Sequence, residues 1–498
     1  MRRIVILFEK ACDSKYVPCF LVLIALLFLS LFSWSTSPFF INDGSDSAVF
    51  KTMGQALLKG KVIYRDIFDH KGPYLYFINA LGQWLISGRV GIFLLQLVAF
   101  SIALWYMFRT ARLFLKSSSA LICLLLALFF YGGHILEGNQ CEEWMMYTFC
   151  VALYYVSVYF VKGNGQNHPP RYSLVYGLCF GFSFFIRPND AVAWMGGIMS
   201  GVVLWLFINK KYKNLLQNIL YFFCGFSVMS LPVLIYFGHQ GAIPDMWYGL
   251  IGFNQEYSGG IISLAKSCFS GEKMYLFLLL VLFVWLVYDT EYEKILFAIT
   301  PAFLLAVFFM GRMFYQHYYI CFTPFISLFS SFFFLKSRKT YWTIAVFCVV
   351  LHFSTYYKGD YSLRPSMMKW NKTGQQAVYD QAKRLFSLIP ESQKDSIWNY
   401  NLHWEVNIYE KWQSEFSIFC HNGIVPCNKI TIGTNDRLES EDLISKHRPL
   451  WILFQRSEET SWYERKKPKE DSLFLALHYD VIAQTDTTIC NLLLYKRR

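Results

Sequence analysis

The side chains of this 498-residue chain that can move protons or hold an anion gather in a few short stretches. One runs from Asp43 and Asp46 to the polar series Tyr64-Arg65-Asp66-Ile67-Phe68-Asp69-His70-Lys71-Gly72-Pro73. A second holds Glu137, Glu142 and Glu143, a third Arg187 and Asp190, a fourth Arg312 and His317. Carboxylates set beside cations suit one kind of task. A carboxylate can take the proton of an attacking hydroxyl, and cations can steady a departing phosphate whose charge grows in the transition state. Asp46, Asp43, Glu142 and Glu143 are the candidate acid/base groups, and Lys71, Arg187, His317, Arg65, His70 and Arg312 the candidate phosphate ligands. A divalent metal is compatible with these groups and not required by them.

Each residue also has a plainer reading. Asp46 precedes a helix-periodic apolar series (Ala48, Val49, Met53, Ala56, Leu57), a good N-cap position. Asp43 reads as loop polarity, and Arg65, Asp66 and Asp69 as a surface ion network. Lys71 and Arg187 fit interfacial anchors, and His317, flanked by Tyr315, Tyr318 and Tyr319, fits an aromatic belt.

The elements that must position these groups are apolar. The chain is 55% hydrophobic and 16% charged, with 48 Phe and 33 Tyr, whereas soluble domains carry roughly 25% charged residues. Its net charge of +12 is scattered between apolar runs and forms no basic stripe, which argues against a nucleic-acid partner. Residues 16–34 form the first run; it follows Arg2, Arg3, Lys10 and Lys15 and lacks a small-residue cleavage site, so it reads as a retained anchor with a cytoplasmic N-terminus. Further runs lie at 90–115, 119–133, 143–161, 173–187, 191–209, 215–237, 273–288, 295–310, 319–335 and 340–356. Threading about eleven spans puts Arg109, Arg112, Lys116, Lys162, Arg171, Lys210, Lys294 and Lys336 on the cytoplasmic side, as the positive-inside rule asks. The candidate groups then all meet the opposite face. The chain thus reads as an all-α polytopic protein of the inner, cytoplasmic membrane, residues 1–356, with a small extracytoplasmic α/β domain at 357–498.

Within the first outer loop, residues 48–57 predict an amphipathic helix on the interface, and 74–86 predict a second, too short to span. The Gly- and aromatic-rich segment 238–272 has the composition of a lid. In the C-terminal part 375–388 and 436–446 predict helices, and 450–454 and 490–495 strands. Of 13 cysteines most lie in apolar runs (Cys123, Cys150, Cys179, Cys224, Cys348) and read as small buried hydrophobes; Cys420 and Cys427 could pair if extracytoplasmic.

The run Asp46-Ser47-Ala48-Val49-Phe50, then Gly60 through Asp69-His70-Lys71-Gly72-Pro73, resembles the first extracytoplasmic loop of GT-C-fold glycosyltransferases, notably the bacterial protein O-mannosyltransferases and the lipid A aminoarabinose transferase. Glu137-Gly138-Asn139-Gln140-Cys141-Glu142-Glu143, Arg187-Pro188-Asn189 and Gly311-Arg312 through His317 to Tyr319 support it, over roughly residues 15–335. The resemblance implies single-step inverting transfer of a sugar from a polyprenyl-phosphate donor to a lipid, glycan or protein acceptor at the bilayer, with no covalent nucleophile. It places Asp46 at the carboxylate that activates the acceptor and Lys71 at the donor phosphate. Relatives follow that aspartate with Glu, where this chain has Ser47 and only Asp43 as a substitute; they flank the lysine with Glu and Pro, where this chain has His70 and Gly72, so a metal held through that Glu lacks its ligand. Glu142 and Glu143 both stand near the second-loop acidic position. The rival readings are a transporter or flippase of lipid-linked saccharides, and a polymerase of their repeat units. Intramembrane charges or broken helices matched in two halves, which transporters show, are not evident.

Overall fold

The structure is a computed structural model that describes residues 9–10, 12–40, 45–65, 69–163, 166–258, 271–309, 315–336, 381, 384–390, 392–393, 397–400, 450–455, 475–485 and 492–498. Its helices are α1 (Val17–Phe32), α2 (Ser45–Leu58), α3 (Pro73–Leu85), α4 (Arg89–Ala111), α5 (Ser117–His134), α6 (Cys141–Lys162) and α7 (Pro170–Phe184). There follow α8 (Pro188–Ile208, with a π turn at Val192–Gly196), α9 (Tyr212–His239), α10 (Ile243–Trp247, continued to Ser258), α11 (Gly271–Val287), α12 (Leu296–Phe309) and α13 (Thr323–Lys336), the last entered through a 3-10 turn at Gln316–Phe322. Proline in the first turn starts α1, α3, α7 and α8, where its fixed φ suits the helix and its missing N–H costs nothing.

The apolar runs between residues 16 and 335 each coincide with a helix. Among the described residues six helices are long and apolar enough to cross a bilayer: α4, α5, α6, α8, α9 and Gln316–Lys336; α1 and the apolar part of α11 are shorter. The run at 340–356 lies outside the described residues, as do Asp43, Asp66, Arg312, Cys420, Cys427 and the helix expected at 436–446. Apolar side chains such as Leu216, Leu220, Val228 and Ile235 on α9 and Leu278, Val281 and Trp285 on α11 stay exposed, a surface suited to acyl chains rather than water. Cys224, expected inside, lies on that exposed face, while Cys123, Cys150 and Cys179 are buried. Helix periodicity, not residue type, decides which side of a span a cysteine takes.

Close helix contact without a hydrophobic drive requires small residues. Gly177 and Gly181, one turn apart on α7, lie against α9. A Cβ on Gly177 would fall 2.0 Å from the Phe222 carbonyl oxygen, and one on Gly225 2.2 Å from that of Leu174. These backbones touch.

The first-loop helices expected at 48–57 and 74–86 are α2 and α3, which pack on each other through Phe50 and Tyr76 and where Gly54 meets Asn79 and Ala80. Leu81, Trp84 and Leu85 remain exposed along α3. In the C-terminal part the expected strands appear as β2 (Trp451–Gln455) and β4 (Leu492–Arg497), joined by β1 (Ile397–Tyr400) and β3 (Tyr479–Gln484) in the order β1-β2-β4-β3. The β1–β2 pair is parallel and the other two are antiparallel. Of the helix expected at 375–388, residues 381 and 384–386 are helical among those described.

Candidate active site

Three backbone devices bring separate stretches to one end of the bundle. The first is at Pro188. Proline disfavours a helical conformation in the residue before it, and Arg187 is extended (φ −156°, ψ 100°), so the chain breaks between α7 and α8 and turns the guanidinium inward. The second is at Gly72. Its N–H donates to the Ile186 carbonyl (2.8 Å) and the Tyr74 N–H donates to that of Phe185 (3.0 Å). The two backbones approach so closely that a Cβ on Gly72 would lie 2.1 Å from the Phe185 oxygen. Lys71 and Arg187 are thereby set beside each other. The third is Glu137, whose Oε1 accepts the N–H groups of Asp46 (2.8 Å) and Ser47 (2.9 Å) and so caps α2. Asp46 is therefore a first-turn residue and not the cap; Glu137 takes the capping role.

Arg187 is the centre of the cluster. Its Nη1 donates to Glu142 Oε1 and lies 3.2 Å from Asp190 Oδ2, and its guanidinium sits 4.1 Å above the Tyr318 ring. His317 Nε2 is 3.9 Å from the same Glu142 oxygen, while Nδ1 is buried without a hydrogen-bond partner. The ring stacks on Tyr315. The charge of Asp46 acts on His317 and Cys141, and that of Lys71 on His317 and Asp190. Asp46, Lys71, Glu142, Arg187, Asp190 and His317 thus share one electrostatic neighbourhood. The anchor reading of Arg187 does not survive this placement: its side chain is 15% exposed and faces two carboxylates instead of headgroups.

Lys71 is held by a chain of its own. Its Nζ lies 2.9 Å from His70 Nε2. An ammonium has no lone pair, so Nε2 must accept, and the ring proton belongs on Nδ1, 3.3 Å from Asp69 Oδ1. Tyr76 donates its hydroxyl to Asp69 Oδ2 (2.8 Å) and accepts the Lys71 N–H (3.0 Å). Burial opposes the charge on Asp69, but bonding and charge from His70, with Lys71 and Tyr76, outweigh it and hold the carboxyl at about 2. Burial, then the adjacent Lys71 charge, lowers the His70 pKa despite Asp69, which keeps the imidazole neutral.

The other candidates stand apart. Glu143 accepts the Gln140 N–H in a capping box and the Tyr131 hydroxyl, and is fully buried behind the helix end. Glu142, one residue earlier, faces the cations. Arg65 is exposed and donates to the Gln240 carbonyl (2.8 Å). Asp43 and Arg312 fall outside the described residues. Asp190, named in the sequence but given no role there, and Tyr318 and Tyr76 also belong to the cluster. Asp190 stands three residues beyond Arg187, a spacing that pairs side chains on a helix; Tyr76 had no such signal. Among the described residues no group of three or more His, Cys, Asp and Glu is placed to hold a metal ion.

Residues 70–236 match the family model described as dolichyl-phosphate-mannose-protein mannosyltransferase. Among solved structures, ArnT from Cupriavidus metallidurans in the apo state aligns over 96% of this chain and 97% of its own, with TM-score 0.59 at 10% identity. The same protein bound to undecaprenyl phosphate gives TM-score 0.57 at 9% identity, over 97% of this chain and 98% of its own. The Archaeoglobus fulgidus oligosaccharyltransferase, apo, gives 0.55 at 12% identity, over 94% of this chain and 73% of its own. No curated protein sequence matches the chain. The stretch matched by the mannosyltransferase model holds Lys71, Glu142 and Arg187, and the chain as a whole has the fold of the GT-C membrane glycosyltransferases.

Proposed function

We propose that this protein is a glycosyltransferase that moves one sugar from a polyprenyl-phosphate donor to an acceptor hydroxyl, with inversion, at the outer face of the cytoplasmic membrane. The observation that carries this reading is the meeting of Asp46, Lys71, Glu142, Arg187 and His317, from distant parts of the chain, at one end of an apolar helical bundle. Asp46 is half-buried and takes the proton of the acceptor hydroxyl as its oxygen attacks the anomeric carbon. The bond from that carbon to the phosphate oxygen breaks in the same step. The phosphate leaves with the bonding electron pair, and Lys71 holds the charge that grows on it, with Arg187 and His317 beside it. Glu142 and Asp190 fix the guanidinium in place. That the fold match includes a structure holding undecaprenyl phosphate supports a prenyl-phosphate donor here.

Purified protein given a radiolabelled polyprenyl-phosphate sugar and an acceptor should release prenyl phosphate, and should do so in EDTA, because Lys71 supplies the cation. Asp46→Asn should lower turnover by about 10²–10⁴-fold, the usual worth of a general base, and Lys71→Ala should chiefly weaken donor binding. A wild-type rate in Asp46→Asn would remove the base assignment. Translocation of intact donor without prenyl-phosphate release would make the protein a flippase.

A further inference from the structure

At the other end of α4 and α6, away from the acid/base cluster, lies a cavity of about 540 Å³. The 22 residues of α6 separate Cys141 beside the cluster from Lys162 on the cavity wall, a length of about 33 Å at 1.5 Å per residue. This second site cannot touch the phosphate or the sugar held at the first. Its volume lies within the range of small-molecule sites, about 300–1,000 Å³.

The wall is built from three parts of the chain: the segment leading into α1, the C-terminal end of α4 with the turn after it, and the C-terminal half of α6. They contribute four cations, Lys15, Arg109, Arg112 and Lys162, against one carboxylate, Asp13. Topology rules ask for basic residues at this end of the spans, but not that four of them surround one hollow. Asp13 is already engaged: Ser117 donates to it, and Arg112 Nη2 lies 3.5 Å away. Arg109 instead rests on rings, with its guanidinium carbon 4.6 Å from the Tyr154 centroid and 5.7 Å from that of Trp105. Stacking of this kind, with a hydrogen bond to Tyr154, holds the guanidinium in place on the cavity wall. The remaining lining includes Val17, Pro18, Phe108 and Leu113, so a cationic rim meets an apolar wall.

From this we propose that the cavity is a binding site for a phosphate-bearing anion, drawn from the headgroup of an anionic phospholipid or from soluble phosphate. Converging Arg and Lys groups favour phosphate, which offers several acceptor oxygens to guanidinium forks. The location at the ends of membrane-length helices and the apolar wall favour a headgroup with its chains running along the bundle.

Full-length protein purified in neutral detergent should be titrated with phosphatidylglycerol, with phosphatidylcholine of the same acyl chains, and with inorganic pyrophosphate, with binding read by native mass spectrometry. Phosphatidylglycerol should bind at least tenfold tighter than phosphatidylcholine, and the preference should shrink as salt rises. Arg109→Gln with Lys162→Gln should weaken it about 30-fold, at about 1 kcal/mol per lost cation. Asp13→Asn, which removes the opposing charge, should tighten it. Displacement of the lipid by pyrophosphate at similar concentration would assign the site to a soluble anion, and failure to displace it to the headgroup; both outcomes support a phosphate site. Equal binding of the two lipids together with no pyrophosphate binding would overturn the proposal. So would unchanged phosphatidylglycerol affinity in the double variant, whose folding is checked by an unaltered phosphatidylcholine affinity.

Discussion

Gly72→Ala tests whether the contact between the first loop and the α7–α8 break sets the catalytic geometry. An added Cβ would lie 2.1 Å from the Phe185 oxygen, 2.3 Å from its carbonyl carbon and 2.7 Å from the Ile186 nitrogen. All three are backbone atoms, so no side chain can rotate away. The two segments must part by about 1 Å to restore ordinary contact, which breaks or stretches the bonds from Gly72 N–H and Tyr74 N–H. Two backbone bonds at about 1 kcal/mol each and residual overpacking of about 1–3 kcal/mol give a destabilisation of about 3–5 kcal/mol. Lys71 is carried with the loop while Arg187 stays with Glu142 and Asp190, and a misplacement of about 1 Å can cost about 10²-fold in rate. Thermal unfolding in detergent and prenyl-phosphate release at saturating donor should both fall. Gly60→Ala is the control: Gly60 has φ 79° and no atom within 4 Å of its added Cβ. It should lose about 1–2 kcal/mol from left-handed strain and keep its rate per folded molecule. If Gly72→Ala unfolds and turns over as wild type does, the backbone contact does not position Lys71.

Two other perturbations read the same cluster. The depressed His70 pKa means that the unfolded chain binds a proton below about 6.5 before the folded one does, so stability is full above that pH and declines as pH falls below it; protonation also removes the acceptor for Lys71. In the folded protein His70 protonates only at pH under the ordinary imidazole value, so donor affinity should weaken there and not at the onset of the stability loss, and His70→Gln should flatten that limb of the profile; an unchanged limb would place the titration elsewhere. Glu142→Gln leaves Arg187 buried with Asp190 as its remaining carboxylate and should cost about 3 kcal/mol, with a loss of rate, whereas Glu143→Gln should lower the melting temperature through the capping box with little loss of rate per folded molecule. Equal rate losses in the two would mean that Glu142 has no special relation to the site.

The membrane architecture was legible because it rests on length and apolarity, which a bilayer reads residue by residue. Between residues 16 and 335 each apolar run became a helix, and the short stretch at 74–86 became α3 beside α2 instead of a span. The strands β2 and β4 were visible as dense apolar runs. Their partners were not, since Ile397–Tyr400 and Tyr479–Gln484 mix polar and apolar residues and are defined by pairing across the sheet. Facing was the weak point inside spans. Composition placed Cys224 in an apolar run, but only the packing of α9 shows that it looks outward.

The site was legible as a set of residues and not as an arrangement, and the reason is physical. The chemistry of Asp46, Lys71, Arg187 and His317 lies in their side chains, which sequence names directly. Their convergence depends on backbone events that bind remote segments: the Glu137 cap on α2, 90 and 91 residues away, and the seam between Gly72 and Ile186. Glu142 and Glu143, adjacent in sequence, part because the first turn of α6 points one at Arg187 and folds the other back onto Gln140. Only a residue without Cβ fits the seam at Gly72, and the His70 ring lies between Asp69 and the Lys71 ammonium. Lys71 is thus held by its own loop through His70, with Arg187 and His317 in its electrostatic reach.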